Sequence, residues 1–247
     1  GFRKKSGAQH RASGGRLECG DDGSLTVFHQ IREVFFRPSL DNETNEININ
    51  IRAPENRYVI HCISVLMLNL AEQKYGETSV GPDDIYMSPE FLDIPRSYVG
   101  RTQKTKTIPQ EKHIICFGTQ VITWEQLFYE LAHETLHLLG PTDTNKNTVA
   151  RIEEGVAVKF AEEFYKDYVY PSIKRYTYIS PLSAPLSAYY KAYEATSKIP
   201  DDVLKSIRSN FINFKDTKKE GLYELAKSFI SEKEAEYLSL PFDYKAP

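Results

Sequence analysis

The sequence predicts an α+β fold, with short strands around one helix in the first half and helices throughout the second. Three observations carry this expectation. Ile47, Ile49 and Ile51 alternate with polar residues, and two short β-rich runs follow before residue 120. From Thr123 onward, apolar residues recur at helical spacing between cap and stop signals. The 247 residues suffice for one substantial core or for two small lobes sharing a cleft.

Taken in order, residues 1–18 hold Arg3, Lys4, Lys5, Arg11 and Arg16 among glycines and serines, the composition of a flexible basic arm or a tag remnant. A single domain is expected over 19–247, with an α+β lobe to about residue 122 and a helical lobe from about 123. Residues 46–52 read as a half-buried strand ended by Pro54, and 55–74 as a buried helix closed by Gly76. The apolar run at 58–71 is broken by His61, Cys62 and Asn69 and is too short to cross a bilayer. Strands are expected at 84–87 and 113–117, with the Thr- and Lys-rich residues 101–112 as a loop between them.

Thr123 and Gln126 form a capping box, and Gly140 with Pro141 forms a stop, so 124–139 is expected as a helix of about four turns. A second helix is expected over 148–168. A connection rich in tyrosine and proline follows at 171–185, then helices near 186–197, 201–214 and 219–237.

The formal charge of −3 and pI near 6.1 supply no basic field, so nucleic acid is not an expected partner. Cys19, Cys62 and Cys116 cannot all pair within the chain, which argues against a disulfide framework. The compartment stays open between the cytoplasm and secretion as an effector.

The chemistry lies in the first helix of the second half, at His133-Glu134-Thr135-Leu136-His137. Residues i and i+4 share a helix face, so both imidazoles can converge on one Zn²⁺ at about 2.0–2.1 Å. Glu134 points elsewhere on the helix, where it can take a proton from a water that the metal acidifies. A catalytic zinc needs a third protein ligand, and the sequence offers Glu154, with Glu153 beside it, or Asp143. Gly155 is costly inside a helix, and a close backbone approach near the metal or substrate would explain it. Glu130, one turn before His133, could hold a ligand histidine in place. Tyr168, Tyr170, Tyr176, Tyr178, Tyr189 and Tyr190 are unranked candidates for a donor to the transition state. His10, His29, His61 and His113 have no ligand spacing, and Cys19 only faintly suggests a latency thiol.

His133 to His137 followed by Glu154-Gly155-Val156-Ala157 resembles the gluzincin metallopeptidases, whose pattern is H-E-x-x-H and then E-G-x-A on the next helix. The resemblance spans roughly residues 113–168. It implies a zincin-like domain, zinc bound by His133, His137 and Glu154, catalysis by Glu134 and a peptide or protein substrate. It also implies that His113–Phe117 is the edge strand along which an extended substrate aligns. The run His133-Glu134-x-x-His137-x-x-Gly140-x-x-Asp143 resembles the aspartate variant of the metzincins. Those enzymes place a methionine downstream, whereas Met67 and Met87 both lie upstream. A zincin-like binding protein without catalysis, and a helical interaction module with incidental histidines, are the other expectations.

Overall fold

The computed structural model describes residues 50–54, 56–141, 149–174, 177 and 179–244. By its internal contacts the chain divides into Gly1–Pro38 and Ser39–Pro247, and every described residue belongs to the second unit. The expected arm at 1–18, most of the strand at 46–52, Asp143, Cys19, His10, His29, Tyr176 and Tyr178 lie outside the described residues.

The architecture is mixed α+β and mostly helical. Residues 50–53 form a turn, not the end of a strand, with Ala53 N–H donating to Asn50 O at 3.0 Å. Helix α1 (Asn56–Tyr75) follows and ends where Gly76 adopts φ 101°, a left-handed conformation that costs glycine little. The sheet has three strands, β1 (Glu90–Phe91), β2 (Tyr98–Arg101) and β3 (His113–Phe117), in the order β1-β3-β2. β3 pairs parallel with β1 and antiparallel with β2. All five β3 residues are buried, as expected of a strand covered on both faces. The run at 84–87 is a 3₁₀ turn (Pro82–Asp84) with one bridge from Ile85 to His113. The loop at 102–112 joins β2 to β3 in a hairpin.

Helix α2 (Trp124–His137) begins as expected, with Thr123 Oγ1 accepting from Gln126 N–H and Gln126 Oε1 accepting from Thr123 N–H. Its far end is held by side chains from distant elements. Arg208 donates to Leu139 O and Glu77 O, each at 2.7 Å, and Thr78 Oγ1 donates to Leu138 O at 2.9 Å. Gly140 serves a different purpose from the expected stop. Its φ is not left-handed, and a Cβ there would lie 2.3 Å from Asn213 Oδ1.

Helix α3 (Arg151–Phe164) packs against α2 and continues through a π-helical turn (Tyr165–Val169) into α4 (Tyr170–Ile173). After a 3₁₀ turn (Pro181–Ser183) come α5 (Ala188–Thr196), α6 (Asp201–Phe211), α7 (Lys219–Ala226) and α8 (Glu232–Ser239). The last two replace the single helix expected at 219–237. Ser231 opens α8 with its own capping box to Glu234, so the chain restarts a helix there. Among the described residues no helix is long and apolar enough to cross a membrane.

Candidate metal centre and cleft

Helices α2 and α3 bring four ionisable side chains to one buried point. His133 Nε2 lies 3.2 Å from Glu154 Oε2, and His137 Nε2 lies 3.8 Å from Glu154 Oε1. One ligand atom from each of His133, His137 and Glu154 falls within 4.8 Å of the others. Glu153, next to Glu154 in sequence, instead meets the opposite nitrogen of His137, with Nδ1 2.8 Å from its Oε1. That contact fixes the ring and leaves Nε2 turned towards Glu154.

The donor set fits a zinc ion. Tetrahedral bonds of about 2.0–2.1 Å put ligand atoms roughly 3.3 Å apart, close to the two separations seen here. Glu154 Oε2 is buried without an aligned hydrogen-bond donor although His133 Nε2 is near, the condition of an acceptor waiting for a cation. Burial pushes the Glu154 carboxyl up, but His133 and His137 outweigh it and hold it below its ordinary range. Burial pulls His137 down, yet Glu153 and Glu154 raise it to about 10. Without metal, protons therefore take the place a cation would hold, and metal binding would release them.

Glu134 is set apart from this cluster. It is buried, its carboxyl has no hydrogen-bond partner among the described residues, and it lines two cavities of about 310 and 190 Å³ that share His133. Burial pushes its carboxyl up to about 7, against the pull of His133 and His137. A bare carboxyl titrating near neutrality is suited to passing a proton to and from water.

The cleft wall comes from regions that the motif does not announce. Tyr189, at the start of α5, packs edge-on to His133 with ring centroids 5.9 Å apart. Arg96 Nη1 donates to Tyr189 Oη at 2.6 Å, so the phenol's own hydrogen is free to point into the cleft. Burial and the Glu154 carboxylate keep Tyr189 protonated, Arg96 opposing them. Of the four candidate tyrosines among the described residues, Tyr168, Tyr170, Tyr189 and Tyr190, it is Tyr189 that lines both cavities. Nothing local in the sequence marks it or Arg96, because they lie 93 residues apart.

Two sequence expectations are corrected by the site. His113–Phe117 is the middle strand, paired on both sides, so its backbone is not open to a substrate. The strand beside the cleft is β2, whose Tyr98 and Val99 line the smaller cavity. Gly155 makes its close approach to α5, not to the metal or the cleft, since a Cβ there would lie 2.2 Å from Thr196 Oγ1 and 2.5 Å from Ala192 O. The glycine thereby lets α5 press on α3 and carry Tyr189 to His133. Glu130 lines the larger cavity, and the carboxylate that holds a histidine is Glu153. No protein family, no curated protein and no solved structure matches this chain.

Proposed function

We propose that the protein is a zinc metallopeptidase of zincin-like architecture, with His133, His137 and Glu154 as metal ligands and Glu134 as general base. The observation that carries this reading is the convergence of both histidines on Glu154 while Glu134 stands unpaired beside them in a cleft. Structural charge clusters satisfy their members, whereas here Glu153 and Glu154 each keep one buried oxygen without an aligned hydrogen-bond donor.

When bound, zinc would supply Lewis acidity towards a scissile carbonyl and a water molecule. Glu134 Oε takes a proton from the attacking water and later delivers it to the leaving amine nitrogen. Tyr189 Oη–H donates to the oxygen that gains negative charge, held for that task by Arg96. Glu153 keeps the His137 ring oriented.

Zinc analysis of wild-type, Glu154→Ala and Asp143→Ala proteins purified without chelator tests the ligand set. About one zinc per chain is expected in wild type and Asp143→Ala and little in Glu154→Ala. Loss in Asp143→Ala alone would move the third ligand to that residue. Glu134→Gln should keep its zinc yet cleave a random peptide library about a thousandfold more slowly. A wild-type protein that binds zinc but cleaves nothing would instead be a zincin-like binding protein.

A further inference from the structure

Among the described residues, Arg96 is the one lysine or arginine lining the larger cavity, and one hydrogen bond from its guanidinium is seen there, to Tyr189. It lies between β1 and β2 on a segment pinned to the end of β3. Thr119 N–H donates to Ile94 O at 2.8 Å, Gly118 N–H donates to Ser97 Oγ at 3.3 Å, and a Cβ on Gly118 would lie 2.8 Å from the Arg96 backbone. The guanidinium sits 3.8 Å from the Tyr244 ring centroid and 5.0 Å from that of Tyr189. Its hydrogen bond to Tyr189 uses one of five N–H groups, and among the described residues no carboxylate pairs with it. A half-buried guanidinium is completed by an anion, and its planar fork matches a carboxylate.

We propose that Arg96 recognises a carboxylate of the peptide substrate, seating it in the cavity of about 310 Å³ beside His133 and Glu134. This rests on the peptidase reading. The carboxylate is either the free C-terminus or an acidic side chain, which present the same group to the fork.

Binding to the zinc-loaded full-length Glu134→Gln protein, followed by fluorescence anisotropy, tests this without turnover. The probes are fluorescein-Gly-Gly-Phe as free acid and as amide, and fluorescein-Gly-Glu-Phe-amide with its Gln counterpart. One carboxylate-bearing probe should bind about tenfold or more tighter than its neutral partner. Arg96→Gln should erase that difference, bringing the ratio of acid-probe to amide-probe affinity to within about twofold of one. Arg96→Lys, which keeps the charge and loses the fork, should retain part of it and covers the case in which Arg96→Gln fails to fold. Equal binding of acid and neutral probes, or equal weakening of all probes in both variants, would overturn the proposal and leave Arg96 as a support for Tyr189. Selective binding of an acid probe by a protein that cleaves no peptide would uphold the carboxylate site while the peptidase reading falls.

Discussion

The two halves of α3 carry two charge clusters, one of carboxylates with lysines and one of carboxylates with histidines, and they are finished differently. At the C-terminal end, Lys159 and Glu163 join Lys74 of α1 and Asp201 of α6, with Lys74 Nζ 2.9 Å from Asp201 and Lys159 Nζ 3.1 Å from Glu163. Glu162, one residue away, accepts from Tyr129 and Ser180. At the N-terminal end, Glu153 and Glu154 face two histidines and leave a buried oxygen each without a hydrogen-bond donor. The first cluster closes on itself and ties three helices together. The second leaves acceptors open, and this difference separates a structural network from a candidate site better than burial or charge does.

Substitutions at the two ends should therefore separate metal binding from stability. The largest effect is expected for Glu154→Ala, which should take zinc from about one per chain to near none; retention of stoichiometric zinc would break the comparison. Glu153→Gln should weaken zinc about 10- to 100-fold, read by competition with a chelator, because it loosens the His137 ring without removing a ligand. Unchanged affinity would make Glu153 a bystander. Gly155→Ala, between the clusters, should cost about 2 kcal/mol in denaturant unfolding by forcing α5 away from α3. Activity should fall with it as Tyr189 moves from His133. Wild-type stability in that variant would mean that the helices separate freely.

The smallest effect is expected for Asp201→Asn, about 1 kcal/mol at neutral pH, since that side chain stays about a third exposed. Its zinc content should be unchanged. Burial pushes the Asp201 carboxyl up, but Lys159 and Lys74 outweigh it and hold it below its ordinary range. Its stabilisation is thus complete above pH about 4 and is lost as pH falls through the lowered value. Urea unfolding at pH 7 and pH 3 should find the gap between wild type and variant closing on the acid side. A gap that widened there would reverse the assigned sign.

The sequence made α2 legible because its signals are local: a capping box and a four-residue ligand spacing within fifteen positions. Glu154 was reachable through resemblance, but its choice over Glu153 rests on which nitrogen of His137 each carboxylate meets. β1 and β2 were not legible, because strands of two and four residues are defined by their partner β3 more than by their own pattern. Arg96, on the connection between β1 and β2, meets Tyr189 of α5 only in the folded chain, a relation that no periodicity encodes. The cost of Gly155 inside a helix is plain from the sequence, while the atoms that require it lie about forty positions downstream in Ala192 and Thr196.

The start of α3 is held by a distant piece of chain. Arg151 N–H donates to Leu240 O at 2.9 Å, Phe242 N–H donates to Val149 O at 2.7 Å, and Ala150 bridges Pro241. The turn of helix that presents Glu153 and Glu154 is therefore fastened across a loop of roughly ninety residues, whose closure carries an entropic cost that α2 alone does not face. On the ribosome, the histidine half of the cluster can be complete while its carboxylate half still awaits residues 240–242, so the four side chains come together late in the maturation of each molecule.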